Sequence, residues 1–282
     1  MLKINYWLLL AIDYSLRFLF GWTQKLSFSA RDSINRLKVY NFKPHPSDVI
    51  IATYPKSGTT WMQAILYQLK TDGDLDNIEH IMRFSPYLEE EIDRVEQLSS
   101  NRIIKTHLPP DELIIEPSAK YIYVQRDGLD TAISYFEHHK LIKKYTGNFE
   151  QFFEKYVNGD VPYGSWFEHT KKWLALKNRD NILFVNFEEL KNNPKDEIKR
   201  ISDFLDIEMT KEKYERTINR SSFDYMKRHE DKFCAVKYFV SQHFGTGNFI
   251  NKGIVGRGKF ISDKQRKQFK NKMTEYFPDN PE

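Results

Sequence analysis

The stretch IIATYPKSGTTW, residues 50–61, sets one lysine, one glycine and several hydroxyls where an apolar run hands over to a helical pattern. Such a set holds an anion. Backbone N–H groups at a helix start lack intrahelical partners and the helix dipole adds positive potential, so a phosphate is stabilised there. Ser57, Thr59 and Thr60 add hydroxyl donors, Lys56 adds a mobile cation, and Gly58 lets the chain approach a ligand closely. A Walker A loop, G-x-x-x-x-G-K-[ST], carries its lysine late, whereas here the lysine precedes the only glycine of the segment. An ordinary turn accounts for Pro55 and Gly58, but gives no reason for the lysine or the run of hydroxyls.

Other reactive types stand at the ends of apolar runs. His107 closes NRIIKTH (101–107), two residues after Lys105. Imidazole takes a proton near neutral pH, which lysine and carboxylate do only after a large pKa shift. A histidine at a strand end is often structural, and the chain has eight, so both readings stand on spacing alone. Arg126 closes KYIYVQR (120–126); its planar fork suits phosphate, or pairs with an acidic helix cap. Trp61 is equally a core residue or a surface on which a base stacks.

The elements that position these residues alternate strand and helix. DVIIATY (48–54) reads as a buried strand, followed by Met62, Ile65, Leu66 and Leu69 at helical spacing. NRIIKTH and KYIYVQR are two further strands, and NILFVNF (181–187) a fourth. Asp127 or Asp130 caps a helix after Arg126, and Pro194 opens one with Ile198, Ile201 and Leu205 on one face. The pattern predicts a single α/β domain whose central parallel sheet is flanked by helices, with ligands at the carboxyl ends of the strands.

Bulk properties are compatible with this. At 282 residues and 40% hydrophobic, the chain supports one large domain. A net charge of +4 and a pI near 8.8 suit an anionic ligand, without the concentrated basic run of a nucleic-acid binder. One cysteine, Cys234, and no zinc-like Cys/His spacing predict a reducing, cytoplasmic setting and no metal. Residues 1–37 form a separate hydrophobic or amphipathic segment before the domain, which spans 38–282. Within that segment, 4–22 is nearly membrane-span length, but Asp13 and Arg17 interrupt it at helical spacing. It reads equally as a helix packed on the domain or one lying on a membrane surface.

TYPKSGTTW (53–61), KTHLP (105–109), RDGLDTAISYF (126–136), YGSWFEH (163–169), FEELKNNP (187–194) and NKGIVGRGK (251–259) follow one another as in the cytosolic-type sulfotransferases. The resemblance runs from about Pro46 to Lys259 and makes the loop P-loop-like and specific for a phosphosulfate. It implies transfer of the sulfuryl group of 3′-phosphoadenosine 5′-phosphosulfate (PAPS), leaving PAP, to a hydroxyl or amine of a small, hydrophobic or lipid-like acceptor. By resemblance, His107 is the general base, Lys56 assists the leaving phosphate, and Lys105 steadies the sulfuryl oxygens. Lys56, Ser57, Gly58, Thr59 and Thr60 then hold the 5′-phosphate. The resemblance also gives Arg126, Ser134, Lys252 and Gly253 to the 3′-phosphate end and Trp61, Phe187, Ser221 and Phe223 to the rest of the nucleotide site; Arg257, which the family pattern lacks, is expected to replace a missing arginine contact at the 3′-phosphate.

Three departures from the family pattern matter. Phe187 replaces a tyrosine, Asn251 replaces an arginine expected at the 3′-phosphate, and GRGK (256–259) replaces GDWK, bringing in Arg257. The usual dimer signature is absent after Lys259, where the chain reads KFISDKQRKQ. Two other classes fit these residues less well. A P-loop kinase needs Mg²⁺ and normally a Walker B aspartate, whereas these strands end in His107 and Arg126. A catalytically silent nucleotide-binding protein would have little reason to keep Lys56, His107 and Ser134 together.

Overall fold

The computed structural model describes residues 34–71, 73–142, 145–239, 249–250 and 253–279. Expectations for 4–22 and for Asn251 and Lys252 therefore lie outside the described residues. Four strands, β1 (Val49–Thr53), β2 (Ile103–Thr106), β3 (Lys120–Gln125) and β4 (Ile182–Asn186), form one parallel sheet in the order β2-β1-β3-β4. The longer helices are α1 (Thr59–Lys70), α2 (Leu88–Gln97), α3 (Gly128–Leu141), α4 (Phe149–Asn158), α5 (Trp166–Leu174), α6 (Phe187–Asn192), α7 (Pro194–Phe204), α8 (Lys211–Arg220), α9 (Phe223–Arg228) and α10 (Asp263–Tyr276).

Every residue of β1 is buried, because both sheet faces are covered. The period of two sends Val49 and Ile51 to a core with Ile65 and Leu69 of α1 and Ile198 and Ile201 of α7. Ile50 and Ala52 face the opposite core, where Tyr123 stacks on Trp173 of α5 at 5.1 Å between ring centroids. The expected apolar positions of α1 and α7 thus reach the sheet.

Boundaries moved by a few residues. The fourth strand stops at Asn186, whose side chain accepts from the Glu189 N–H and starts α6, so Phe187 opens a helix. Of the two aspartates expected to cap α3, Asp127 does so, accepting from the Asp130 N–H at 2.8 Å. A helix over 34–41 straddles the expected 37/38 border, with Ile34 and Val39 buried on it and Phe42 buried just after it; Val39 and Phe42 pack against α2. No helix among the described residues is long and apolar enough to cross a membrane.

Candidate active site

β1, β2 and β3 end side by side, and the chemistry gathers at their carboxyl ends. After Thr53 the chain turns into α1, with the Ser57 N–H donating to the Tyr54 carbonyl at 3.2 Å. Lys56 and Gly58 take positive φ, 69° and 109°. No side chain caps α1, so its first-turn amides are left to a ligand in the loop. Gly58 is required twice over. Its φ disfavours any L side chain, and a Cβ there would lie 2.8 Å from Cδ2 of Phe187. Gly58→Ala should lower stability by about 1–3 kcal/mol, read from urea unfolding midpoints, and should weaken nucleotide binding by displacing Phe187.

Two ammonium groups face this loop. Lys105 is 5% exposed and stands 4.1 Å over the Tyr87 ring; Lys56 stands 4.7 Å over Phe249. Neither has an ion-pair partner among the described residues. Burial lowers Lys56 to about 8, and the Arg126 guanidinium adds to the effect. Burial also lowers Lys105 to about 8; Glu89 opposes the shift and Lys56 reinforces it. Two cations withdrawn from water close to one another favour an anion between them.

His107 is held by its neighbours at several atoms. Its Nδ1 lies 2.9 Å from the Thr53 carbonyl and 3.1 Å from Thr53 Oγ1, which in turn lies 2.6 Å from Thr59 Oγ1. A carbonyl only accepts, so Nδ1 carries the proton and Nε2 carries the lone pair. The ring meets Tyr87 and Tyr163 edge-on at 5.3 and 5.4 Å. The His107 N–H donates to Glu89 Oε1 at 2.7 Å, and its carbonyl accepts from His169 Nε2 at 3.1 Å. Burial, reinforced by Lys105, holds the imidazole well below its ordinary 6.5, so it is neutral at physiological pH. It has the tautomer and charge state of a general base.

Arg126 lies across the floor of the site. Its guanidinium donates to the Lys56 carbonyl at 3.0 Å, covers the Phe187 ring at 4.5 Å and leaves Nε buried without a partner. Asp130, fully buried, stands 3.9 Å from Arg126 and accepts the N–H groups of Gly256 and Gly258 at 2.8 and 2.9 Å. It ties the 256–258 turn to α3. Arg257 forks onto Glu137 of the same helix, with Nη1 2.7 Å from Oε2.

A cavity of about 1170 Å³ gathers nearly all the residues expected at the site. Lys56, Gly58, Thr59, Thr60 and Trp61 line it from the loop and α1, and Lys105 and His107 line it from β2 and its end. Arg126, Ser134, Phe187, Ser221, Phe223, Gly253 and Arg257 line the rest. Trp61 meets Phe187 edge-on at 5.3 Å. Phe223 crowds Gly253, where a Cβ would lie 2.6 Å from Cδ2 of that ring. Ser57 lies beneath the lining, its Oγ buried and unpartnered. With Arg126 Nε, Ser57 Oγ is a buried polar atom that fits an anion-bearing ligand. The motif YGSWFEH (163–169) and the segment HIMRFSPYLEEEI (80–92), which lines the acceptor pocket in the family the chain resembles, hold Glu89, Tyr87, Tyr163 and His169, but nothing in the sequence sets these four directly beside His107, because they meet it only through folding.

The family description "Sulfotransferase domain" matches residues 46–280. Sulfotransferase 1B1 of Mus musculus is 35% identical over 254 residues, covering 84% of this chain and 85% of the relative. Sulfotransferase 1E1 of Homo sapiens is 32% identical over 253 residues, covering 83% and 86%. Among solved structures, mouse sulfotransferase SULT7A1 complexed with PAP superposes with a TM-score of 0.73 at 26% identity, covering 87% of this chain and 90% of that one. Retinol dehydratase in complex with retinol and PAP shares the fold, with a TM-score of 0.79 at 23% identity, covering 89% and 86%. Neither the kinase nor the silent-protein reading gains support from these matches.

Proposed function

The chain belongs to the sulfotransferase family, and from that premise we propose that it moves the sulfuryl group of PAPS to a hydroxyl or amine of a small, hydrophobic or lipid-like acceptor, with His107 as general base. The observation that carries this reading is a neutral imidazole whose Nδ1–H is engaged by Thr53, in one cavity with two lysines that have no ion-pair partner among the described residues. PAPS supplies the activated sulfuryl group and a phosphate that can leave. His107 Nε2 takes the proton of the acceptor hydroxyl. Lys56 and Lys105 stabilise the negative charge that grows on the oxygens as the bond breaks, as cations do in phosphoryl transfer. Ser57, Gly58, Thr59 and Thr60 hold the 5′-phosphate. Arg126 and Ser134, with Lys252 and Gly253, take the 3′-phosphate. Trp61, Phe187, Ser221 and Phe223 surround the base. Aromatic walls from Tyr87, Tyr135, Tyr163 and Phe249 suit an apolar acceptor.

The test is transfer of label from PAPS to a panel of phenols, aliphatic alcohols, amines and glycolipids, with and without EDTA. Label on an apolar hydroxyl or amine in the presence of EDTA is the expected result. No transfer to any member, or transfer abolished by chelation, would overturn the reading.

The 3′-phosphate end carries its own prediction. Arg257 takes over the role vacated at Asn251, exchanging Glu137 for the phosphate. A charge-assisted hydrogen bond is worth about 1.5–3 kcal/mol, or roughly tenfold or more in affinity. Because Glu137 must be released, the net gain sits at the lower end. Arg257→Ala should weaken PAPS about tenfold and leave adenosine 5′-phosphosulfate unchanged. Titration calorimetry with both nucleotides decides it, and an equal change for the two counts against the exchange.

A further inference from the structure

We propose that Glu89 is a positioning residue for the transfer reaction, its carboxylate fixing the main chain of His107 through one oxygen and keeping Lys105 charged through the other. The inference rests on the roles given above to His107 and Lys105. Glu89 lies in the first turn of α2, which packs against β2, and its Oε1 accepts the His107 N–H at 2.7 Å. Its Oε2 is buried with no donor in hydrogen-bond geometry among the described residues, and the Thr106 hydroxyl nearby offsets only part of the burial. A buried carboxylate oxygen left without a donor is costly unless a nearby cation compensates it. Lys105 is the cation that the fold brings to this end of α2: its main-chain N–H donates to the Pro86 carbonyl at 3.0 Å and its ammonium stands 4.1 Å over the Tyr87 ring, two residues before Glu89, where it favours the carboxylate.

The remaining surroundings have been placed by the fold. From the same helix come Glu90 and Glu91, from the loop after β1 comes Lys56, and from β2 come Lys105 and Thr106. Tyr87 and Tyr163 lie against the same groups, and burial raises both hydroxyls; His80 and His138 also feel the Lys105 charge, and burial lowers both imidazoles, so none of the four supplies charge. Burial raises Glu89 to about 7, against the pull of the His107 N–H and of Lys105. Among the charges acting on Lys105, Glu89 is the strongest that favours the ammonium, and Lys56 disfavours it. Without the Glu89 carboxylate, Lys105 would lose its proton at lower pH, where the reaction needs a cation on the sulfuryl oxygens.

Glu89→Gln separates charge from hydrogen bonding, because its amide oxygen can still accept from His107. Two quantities are read: the pH at which Lys105 becomes reactive to acetic anhydride, followed by mass spectrometry, and the alkaline limb of kcat/KM. Both should move to lower pH, with transfer at pH 8 down roughly tenfold, as a one-unit shift implies. Glu89→Asp keeps the charge but gives up reach, so its Lys105 midpoint should stay near wild type; if the glutamine variant does not fold, Glu89→Ala, which also removes the charge, carries the test with the same expected shift. An unchanged Lys105 midpoint in folded Glu89→Gln, or an equal fall in Glu89→Asp, overturns the assignment. The labelling reads Lys105 without turnover. If it shifts as expected while transfer is absent even in the wild type, the Glu89–Lys105 coupling stands and the transfer reading falls.

Discussion

His107→Ala should lose transfer by roughly 10²–10⁴-fold in kcat, the contribution of a positioned general base, while PAP binds nearly as in the wild type. The separation follows from the geometry. His107 reaches the cavity from the end of β2, whereas the residues proposed to hold the nucleotide line it from the loop after β1, the end of β3 and the helices after β4. Burial and Lys105 hold the imidazole well below 6.5. The base form therefore exists at every pH above that lowered value, and the acid limb of kcat/KM should fall below 6.5 rather than at it. Wild-type turnover in the variant would remove His107 from the chemistry. A matching loss of PAP affinity would mean that the side chain supports the nucleotide instead.

Lys56→Met should lower kcat about 10²–10³-fold, as loss of a group aimed at developing charge does, and should also weaken PAP by roughly tenfold or more. Methionine keeps much of the apolar stem and enters a backbone at φ 69° that lysine already tolerates, so the change isolates the ammonium. The pH dependence has a definite sign. Lys56 is lowered to about 8, so its cation is present below that pH and lost as pH rises through it. In the wild type, PAP affinity should decline through about pH 8, and kcat/KM should decline with it. The limb in kcat should lie higher, because a bound anion stabilises the ammonium. In Lys56→Met, much of the pH dependence of PAP binding should vanish. Calorimetric titration across that range checks this, and the same decline in the variant would assign it to another group.

The candidate site was unevenly legible, for reasons that differ by residue. Lys56 through Trp61 are contiguous, so one loop and one helix start bring them to the same cavity. Arg126 and Ser134 were legible for a related reason, since a strand end and the helix that follows it are neighbours in space. His107 was ambiguous by spacing because either role suits a strand end, and Nδ1 facing the Thr53 carbonyl, fifty-four residues earlier, resolves the tautomer. Glu89 sits among three consecutive glutamates, and nothing local distinguishes it from Glu90 and Glu91. Only its approach to His107 does. Arg257 looked like a free replacement for the arginine missing at 251, and the fold gave it Glu137 as a competing partner.

Local sequence determined the parallel α/β architecture, through continuous apolar strands alternating with helical periodicity, and it determined the anion loop, because backbone amides and adjacent side chains act over a few residues. Tertiary structure decided which groups are charged and which proton sits where. Lys56 and Lys105 are lowered, Glu89 is raised and His107 is kept neutral by burial and by one another, after segments remote in the chain have closed around one cavity. Desolvation and charge coupling depend on distance in space, and spacing along the chain does not encode that distance.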